Sequence, residues 1–328
     1  MTTQRKRGGL RAAFAGLGNA LQWRLLLLWT LGLLLPAVLA TLPLWRALAA
    51  RFDHAVGADA IAARVDVPAI ADVVVGLGPA GGALGASLAA SGLFALLLLP
   101  WLHGMTLASI RAGHRLGFAG LLHGGLAEYW RMLRMTLWSL LPLGAALALG
   151  SLAMKAADER AATAILEADA ESVQRLALGA MLVLFLVAHA TVEAARGVLG
   201  AEPARRSVVR AWGRGVLLLL RRPLAMSLGY LLPTLVGVLL AAGFGALRLA
   251  GAGPSWTALL VGFGLAQLLA ASLAWGRSAR LFALADLARH DAQRRAARHG
   301  HVAGHDGHAH ATHALPTPGR ATAGLAVG

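Results

Sequence analysis

Apolar residues in this chain come in long blocks rather than narrow stripes. The blocks run from Leu25 to Leu44, Leu84 to Met105, Thr136 to Met154, Leu176 to about Ala195, Leu224 to Leu247, and Trp256 to Trp275. Each is long enough, as a helix, to cross the roughly 30 Å hydrocarbon core of a bilayer. A second pattern precedes every odd block. Leu10, Phe14, Leu17 and Leu21 keep helical spacing, as do Phe118, Leu122, Leu126, Tyr129 and Leu133. Before the fifth block, Arg206, Arg210, Arg214 and Arg221 share one helical face, and Val209, Trp212, Val216 and Leu219 share the opposite one. Such stripes predict three short amphipathic helices lying on a membrane surface. The predicted fold is therefore all-α: a polytopic membrane bundle of about six transmembrane helices, arranged as three hairpins with interfacial helices.

Charge placement orients the hairpins. The segments around Arg111–Arg134 and Arg196–Arg222, the N-terminus and the stretch after Gly276 are strongly basic. The Arg46–Asp72 and Lys155–Arg175 loops are balanced or acidic. Strict alternation of this kind predicts both termini in the cytoplasm of a bacterial inner-membrane protein. Val38-Leu39-Ala40 would suit a signal cleavage site, but the long basic flank and the later spans favour an uncleaved first span.

The odd spans share a phrase. Arg24 to Leu34-Leu35-Pro36, Arg131 to Leu140-Leu141-Pro142, and Arg222 to Leu231-Leu232-Pro233 recur at nearly equal steps, and Arg111, Arg196 and Arg280 close the return spans. Leu98-Leu99-Pro100 repeats the phrase once outside this frame. The spacing predicts a threefold repeat whose proline kinks could open a central cavity. Gly237, Ala241 and Gly245, and likewise Gly262, Ala266 and Ala270, are spaced for close helix packing.

Composition narrows the chemistry. Of 328 residues, 58% are hydrophobic and 14% charged, the formal net charge is +15, and there is no cysteine. That excludes disulfides, thiolate metal sites and a cysteine nucleophile. The arginines adjoin hydrophobic blocks, so the basic balance points to anionic headgroups rather than nucleic acid. Arg206, Arg210, Arg214, Arg221 and Arg222 are the expected headgroup contacts. The partner is the bilayer, with self-association left open. Residues 1–24 form a basic amphipathic N-terminus, 25–280 the membrane domain, and 281–328 a cytoplasmic tail, structureless from about residue 299.

Three features carry candidate chemistry. His189 and Glu193 lie four apart on one face of the fourth span, and His103 sits at the matching place in the second. Ionisable groups at membrane depth are costly and usually face a cavity or a partner. They form a candidate polar site for proton relay or cation binding. The plainer reading pairs Glu193 with Arg196 and gives His189 a backbone carbonyl. The tail carries His299, His301, His305, His308, His310 and His313, a set that could hold Zn²⁺, Ni²⁺ or Cu²⁺ without preset geometry; no other cofactor is expected. Gly76-Leu77-Gly78-Pro79-Ala80-Gly81 matches a dinucleotide fingerprint in letters. It lacks the acidic residue about 20 positions on, and so reads as a loop entering the second span. No catalytic constellation can be assembled.

Glu128-Tyr129-Trp130-Arg131-Met132-Leu133-Arg134 leading into a span, with its counterpart before the fifth, resembles a pattern in uncharacterised bacterial six-span inner-membrane proteins. It is similar to the membrane domain preceding some glycerophosphodiester phosphodiesterases. The resemblance covers Leu10 to about Arg295 and implies an inner-membrane protein with no assigned catalytic residue. Three-times-two spans also suit mitochondrial carriers, but their proline-acidic-basic signature is absent. The expected function is a non-enzymatic scaffold or envelope-assembly factor contacting anionic lipid. The alternative is a small-solute or divalent-metal transporter.

Overall fold

A computed structural model describes residues 2–52, 81–164, 166–251, 253 and 255–311. All regular structure among them is helical: α1 (Thr2–Asn19), α2 (Trp23–Phe52), α3 (Gly81–Ala112), α4 (Phe118–Ala161), α5 (Glu167–Ala201), α6 (Val208–Arg221), α7 (Pro223–Ala250) and α8 (Trp256–Ala311). Six of these, α2, α3, α4, α5, α7 and α8, are long and apolar enough to cross a membrane, and each contains one predicted block. Their outer faces remain uncovered by protein: Leu182, Val183 and Val187 of α5, and Leu235 and Leu239 of α7, are exposed. Apolar surface on that scale belongs against lipid. The chain is a multi-pass membrane protein.

Where the amphipathic segments meet their spans, local chemistry decides the shape. Before α7, Arg222 precedes Pro223 and takes φ −136°, ψ 57°, outside the helical region. Proline crowds the residue before it out of the α conformation, so α6 and α7 are separate rods. Before α2, the chain breaks at Ala20–Gln22. Residues 129–136 hold neither glycine nor proline, and there the helix runs straight through. α4 is 44 residues long, about 66 Å at the usual rise, over twice a bilayer core. The predicted surface helix and the third span are thus one continuous helix.

Each leading segment crosses a return helix through small residues. Gly16 of α1 lies where a Cβ would fall 2.6 Å from the Ala279 carbonyl oxygen of α8. Gly124 and Gly125 of α4 meet Ala108, Met105 and Trp101 of α3, and a Cβ on Gly215 of α6 would fall 2.7 Å from the Ala195 amide nitrogen of α5. Without side chains at these points, helix backbones approach closely and dispersion contacts accumulate. Most large residues of the first two stripes turn outward: Leu10, Phe14 and Leu21, then Phe118, Leu122 and Leu126, are exposed, whereas Leu17, Tyr129 and Leu133 are partly buried and Leu17 packs against the core. A core runs beneath these crossings through Trp29, Met135, Val192, Leu199, Met226 and Leu284.

Of the spaced small-residue sets, Gly237 packs as expected, with Gly276 Cα and the Ser272 carbonyl about 3 Å from its virtual Cβ (3.0 and 3.1 Å). Gly262 meets only the Arg248 side chain, at 4.0 Å, so the second set is not a close helix crossing at that end. α8 continues to Ala311, past residue 299, where the sequence suggests a structureless tail. Extending an existing helix needs no new nucleus. The chain divides into two compact units, Met1–Ala288 and Arg289–Gly328. Side chains from residue 298 onward, and so the contacts of the tail histidines up to His310, lie outside the described residues, as do all of His313 and residues 76–80 of the glycine motif.

Candidate functional site

The first unit contains a buried charged cluster where α5, α7 and α8 meet. Glu193 on α5 is 1% exposed. Its two carboxylate oxygens are taken by different helices. Oε1 accepts from the Arg196 Nη1 one turn along α5, and Oε2 accepts from the Arg280 Nε of α8 at 3.1 Å. Arg280 also donates from Nη1 to the Thr234 hydroxyl of α7 at 3.0 Å, and its guanidinium stacks 5.1 Å from the Tyr230 ring centroid. Thr234 in turn donates to the Tyr230 carbonyl oxygen at 2.6 Å. His189 lies one turn before Glu193, with Nε2 3.9 Å from Oε1 and Nδ1 2.8 Å from the Tyr230 hydroxyl.

Close approach of the helices makes this cluster possible. Gly197, one turn after Glu193, lies against Leu284 and Ala285 of α8; a Cβ there would sit 2.8 Å from Leu284 Cβ. Gly229 of α7 similarly faces Leu287. With the three rods drawn together, an arginine one helix away reaches the carboxylate without extra chain. A charge-paired carboxylate is tolerated at such burial, whereas an isolated one is not.

The structure brings all three predicted polar residues into one electrostatic neighbourhood. His103, 7% exposed on α3, lies within interaction range of Glu193 and Arg196. Its own partner is local. Nδ1 donates to the Leu99 carbonyl oxygen at 2.7 Å, and the ring stands edge-on to Trp29 at 5.3 Å. The carbonyl partner expected for His189 thus belongs to His103, while His189 takes a tyrosine hydroxyl instead. The plainer pairing of Glu193 with Arg196 is present, but it is half of a three-helix arrangement. Sequence reasoning missed Arg280 as its second half, along with Tyr230, Thr234 and Arg277. The available signal was spacing: Arg277 and Arg280 lie three apart, as Glu193 and Arg196 do. Read singly, arginines at the end of an apolar run look only like topology signals.

Beside the cluster lies a cavity of about 240 Å³, lined by Phe185, His189, Tyr230, Thr234, Arg277 and Arg280 among others. Its α7 wall includes Thr234, the residue after the repeated Pro233. Arg277 reaches this space and makes no hydrogen bond or ion pair among the described residues. Replacing Tyr230 by phenylalanine removes the hydroxyl that anchors His189. The expected loss is about 1 kcal/mol of folding stability, read as a lowered thermal midpoint in detergent, and an unchanged midpoint would show that the bond contributes nothing net.

A second ionic group ties the hairpins together. Glu128 of α4 accepts from Arg111 of α3 and from Arg131. Arg111 also donates to the Leu199 carbonyl oxygen at 2.6 Å, and Arg131 to that of Pro203 at 3.0 Å. The predicted headgroup arginines divide in use. Arg206, Arg210 and Arg221 are exposed. Arg214 leans on Glu202 at 3.5 Å, and Arg222 has an interaction of its own at the α6–α7 corner.

The apolar face assigned to α6 also needs correction. Trp212 and Leu219 pack against the protein core, and Trp212 donates to the Thr191 hydroxyl at 3.1 Å. Of the predicted stripe only Val209 is exposed, and the other exposed apolar residues, Leu217 and Leu220, lie outside it. The physical reason is the close crossing at Gly215, which turns the aromatic side of α6 into a packing surface. No family model, curated protein or solved structure matches this chain.

Proposed function

We propose that this is a non-enzymatic integral inner-membrane protein, a scaffold or envelope-assembly factor that engages anionic lipid from its cytoplasmic face. The observation that carries the reading is the surface of α6. Exposed arginines Arg206, Arg210 and Arg221 stand beside exposed Val209, Leu217 and Leu220. A helix with that pairing sinks its apolar side into the headgroup boundary and offers its cations to lipid phosphates. Each exposed arginine near an anionic surface contributes about 1 kcal/mol. The Arg206/Arg210/Arg221→Gln triple variant should therefore lose most of its preference for anionic over zwitterionic lipid in nanodiscs. An undiminished preference would remove the reading.

In this reading both termini and all three leading helices face the cytoplasm, as the arginine distribution suggests. Reporters fused at Asp59 and Glu167 should then label from the opposite side to the histidine-rich end. The three hairpins are read as a repeat, and the equivalent positions support that. Seven residues before Pro36, Pro142 and Pro233 stand Trp29, Met135 and Met226, all fully buried or nearly so. Six residues before them stand hydroxyls, Thr30, Thr136 and Ser227. Thr30 and Thr136 each cap the carbonyl one turn back, at 2.9 and 3.0 Å. The α1–α8, α4–α3 and α6–α5 crossings then close a ring in which each leading helix rests on the preceding return helix.

A transporter is the second reading, favoured by the cavity beside Arg277. The charges there suit an anion better than a divalent metal. Arg196, Arg277 and Arg280 outnumber the single carboxylate of Glu193, so a cation would enter a positive field.

A further inference from the structure

We propose that the cavity between α5, α7 and α8 is a binding site for a phosphate-bearing anion, with Arg277 as its principal cationic contact. The inference rests on the anionic-lipid reading and deepens it from a surface preference to a discrete site.

Charge pairing singles out Arg277. Of the three arginines around Glu193, two already use the carboxylate: Arg196 takes Oε1 and Arg280 takes Oε2. Arg277, one turn before Arg280, is an exposed residue on the cavity wall that makes no hydrogen bond or salt bridge among the described residues, although it lies in the field of Glu193. A guanidinium offers five donors in a planar fork and matches phosphate oxygens two at a time. The nearby polar groups suit that ligand. Arg280 lines the same wall and adds a second positive field, and the hydrogen-bonded Tyr230–His189 pair retains one shorter-range donor, on the tyrosine hydroxyl or the imidazole Nε2. Glu193 is the only carboxylate in the cluster and is already neutralised from both sides, so it does not repel an entering anion.

Size and lining agree. About 240 Å³ is the liquid volume of roughly eight waters, ample for a phosphate group with part of its ester. The rest of the wall is Phe185, Gly237, Val238, Leu273 and Gly276, a slot for aliphatic chain rather than for water. Outside it, Leu235 and Leu239 of α7 are exposed. A lipid could place its phosphate on Arg277 while its chains stay among those leucines. A small soluble phosphate or phosphate ester shares the headgroup chemistry, and only binding data separate the two sources.

The test uses the full chain purified in a mild detergent. Dioctanoyl phosphatidylglycerol, dioctanoyl phosphatidylcholine and inorganic phosphate are titrated separately, with native mass spectrometry giving stoichiometry and the thermal midpoint giving affinity. The expected result is one saturable phosphate-bearing anion per chain. Arg277→Gln should weaken it about tenfold or more, as loss of a charge-assisted bond implies. Arg277→Lys should recover part of the affinity. The Arg206/Arg210/Arg221→Gln triple variant should keep the saturable site while losing the diffuse lipid preference.

Phosphatidylglycerol binding without a phosphate response assigns the site to lipid, and the reverse assigns it to a soluble anion. Absence of saturable binding to the unaltered chain, or equal affinity in Arg277→Gln, overturns the proposal. If the α6 variant alone loses lipid preference in that case, the surface reading survives and only the site fails.

Discussion

Replacing Glu193 by glutamine should lower folding stability by about 3–5 kcal/mol, the usual cost of leaving buried charges uncompensated. Glutamine keeps the shape of glutamate but not its charge. Its amide nitrogen would point a donor at a donor, because Arg196 and Arg280 approach the two carboxylate oxygens from opposite sides. Both guanidiniums are less than a tenth exposed as residues and have little water to turn to. Fluorescence-detected size exclusion after heating would read the loss. The double variant Glu193→Gln/Arg280→Met should recover part of it, since one orphaned cation is removed with its partner. A single glutamine variant as stable as the parent would show that the three-helix charge arrangement is not what joins α5 to α8.

Gly215 and Gly213 form a matched pair on one short helix, with opposite expectations. A Cβ on Gly215 would meet the Ala195 amide nitrogen at 2.7 Å and the Ala194 carbonyl carbon at 3.0 Å, both backbone atoms that cannot rotate away. Gly215→Ala should therefore push α6 off α5 and cost about 1–3 kcal/mol. Nothing lies within 4 Å of a Cβ on Gly213, so Gly213→Ala should stabilise the helix by about 0.5–1 kcal/mol. The same thermal assay reads both. Equal effects at the two positions would mean that the α5–α6 crossing is looser than the structure has it. A loosened crossing would also free Trp212 from Thr191 and reorient the arginine face, so the Gly215 variant should bind anionic lipid less selectively.

Much of the architecture was legible before any coordinates. Each of the six blocks falls inside a helix able to cross a membrane, because uninterrupted apolar runs of that length have few other stable solutions. Of the first two stripes, Leu10, Phe14 and Leu21 and Phe118, Leu122 and Leu126 are exposed, while Leu17, Tyr129 and Leu133 are partly buried. The candidate site was half legible. His189 and Glu193 stood out because ionisable groups are rare in apolar runs. Arg277 and Arg280 did not, since arginines just past a span are expected as topology determinants and draw no further notice. The stripe Val209, Trp212, Val216 and Leu219 misled at Trp212 and Leu219 for a related reason: helical periodicity reports that a face is apolar, not whether lipid or protein covers it.

By itself, then, the order of residues determined the class of the protein, its number of membrane-crossing helices, and where each begins and ends in apolar sequence. These are local properties of hydropathy, helical period and proline placement, and each is set within about 20 neighbouring residues. Tertiary structure alone decided that Arg280 meets Glu193 from 87 residues away, that Arg277 stands unpaired at a cavity, and that Gly16 and Gly215 are crossing points rather than flexible links. Those outcomes depend on which helices touch and at what depth. Packing of small residues between distant segments sets that, and no window of sequence contains both partners.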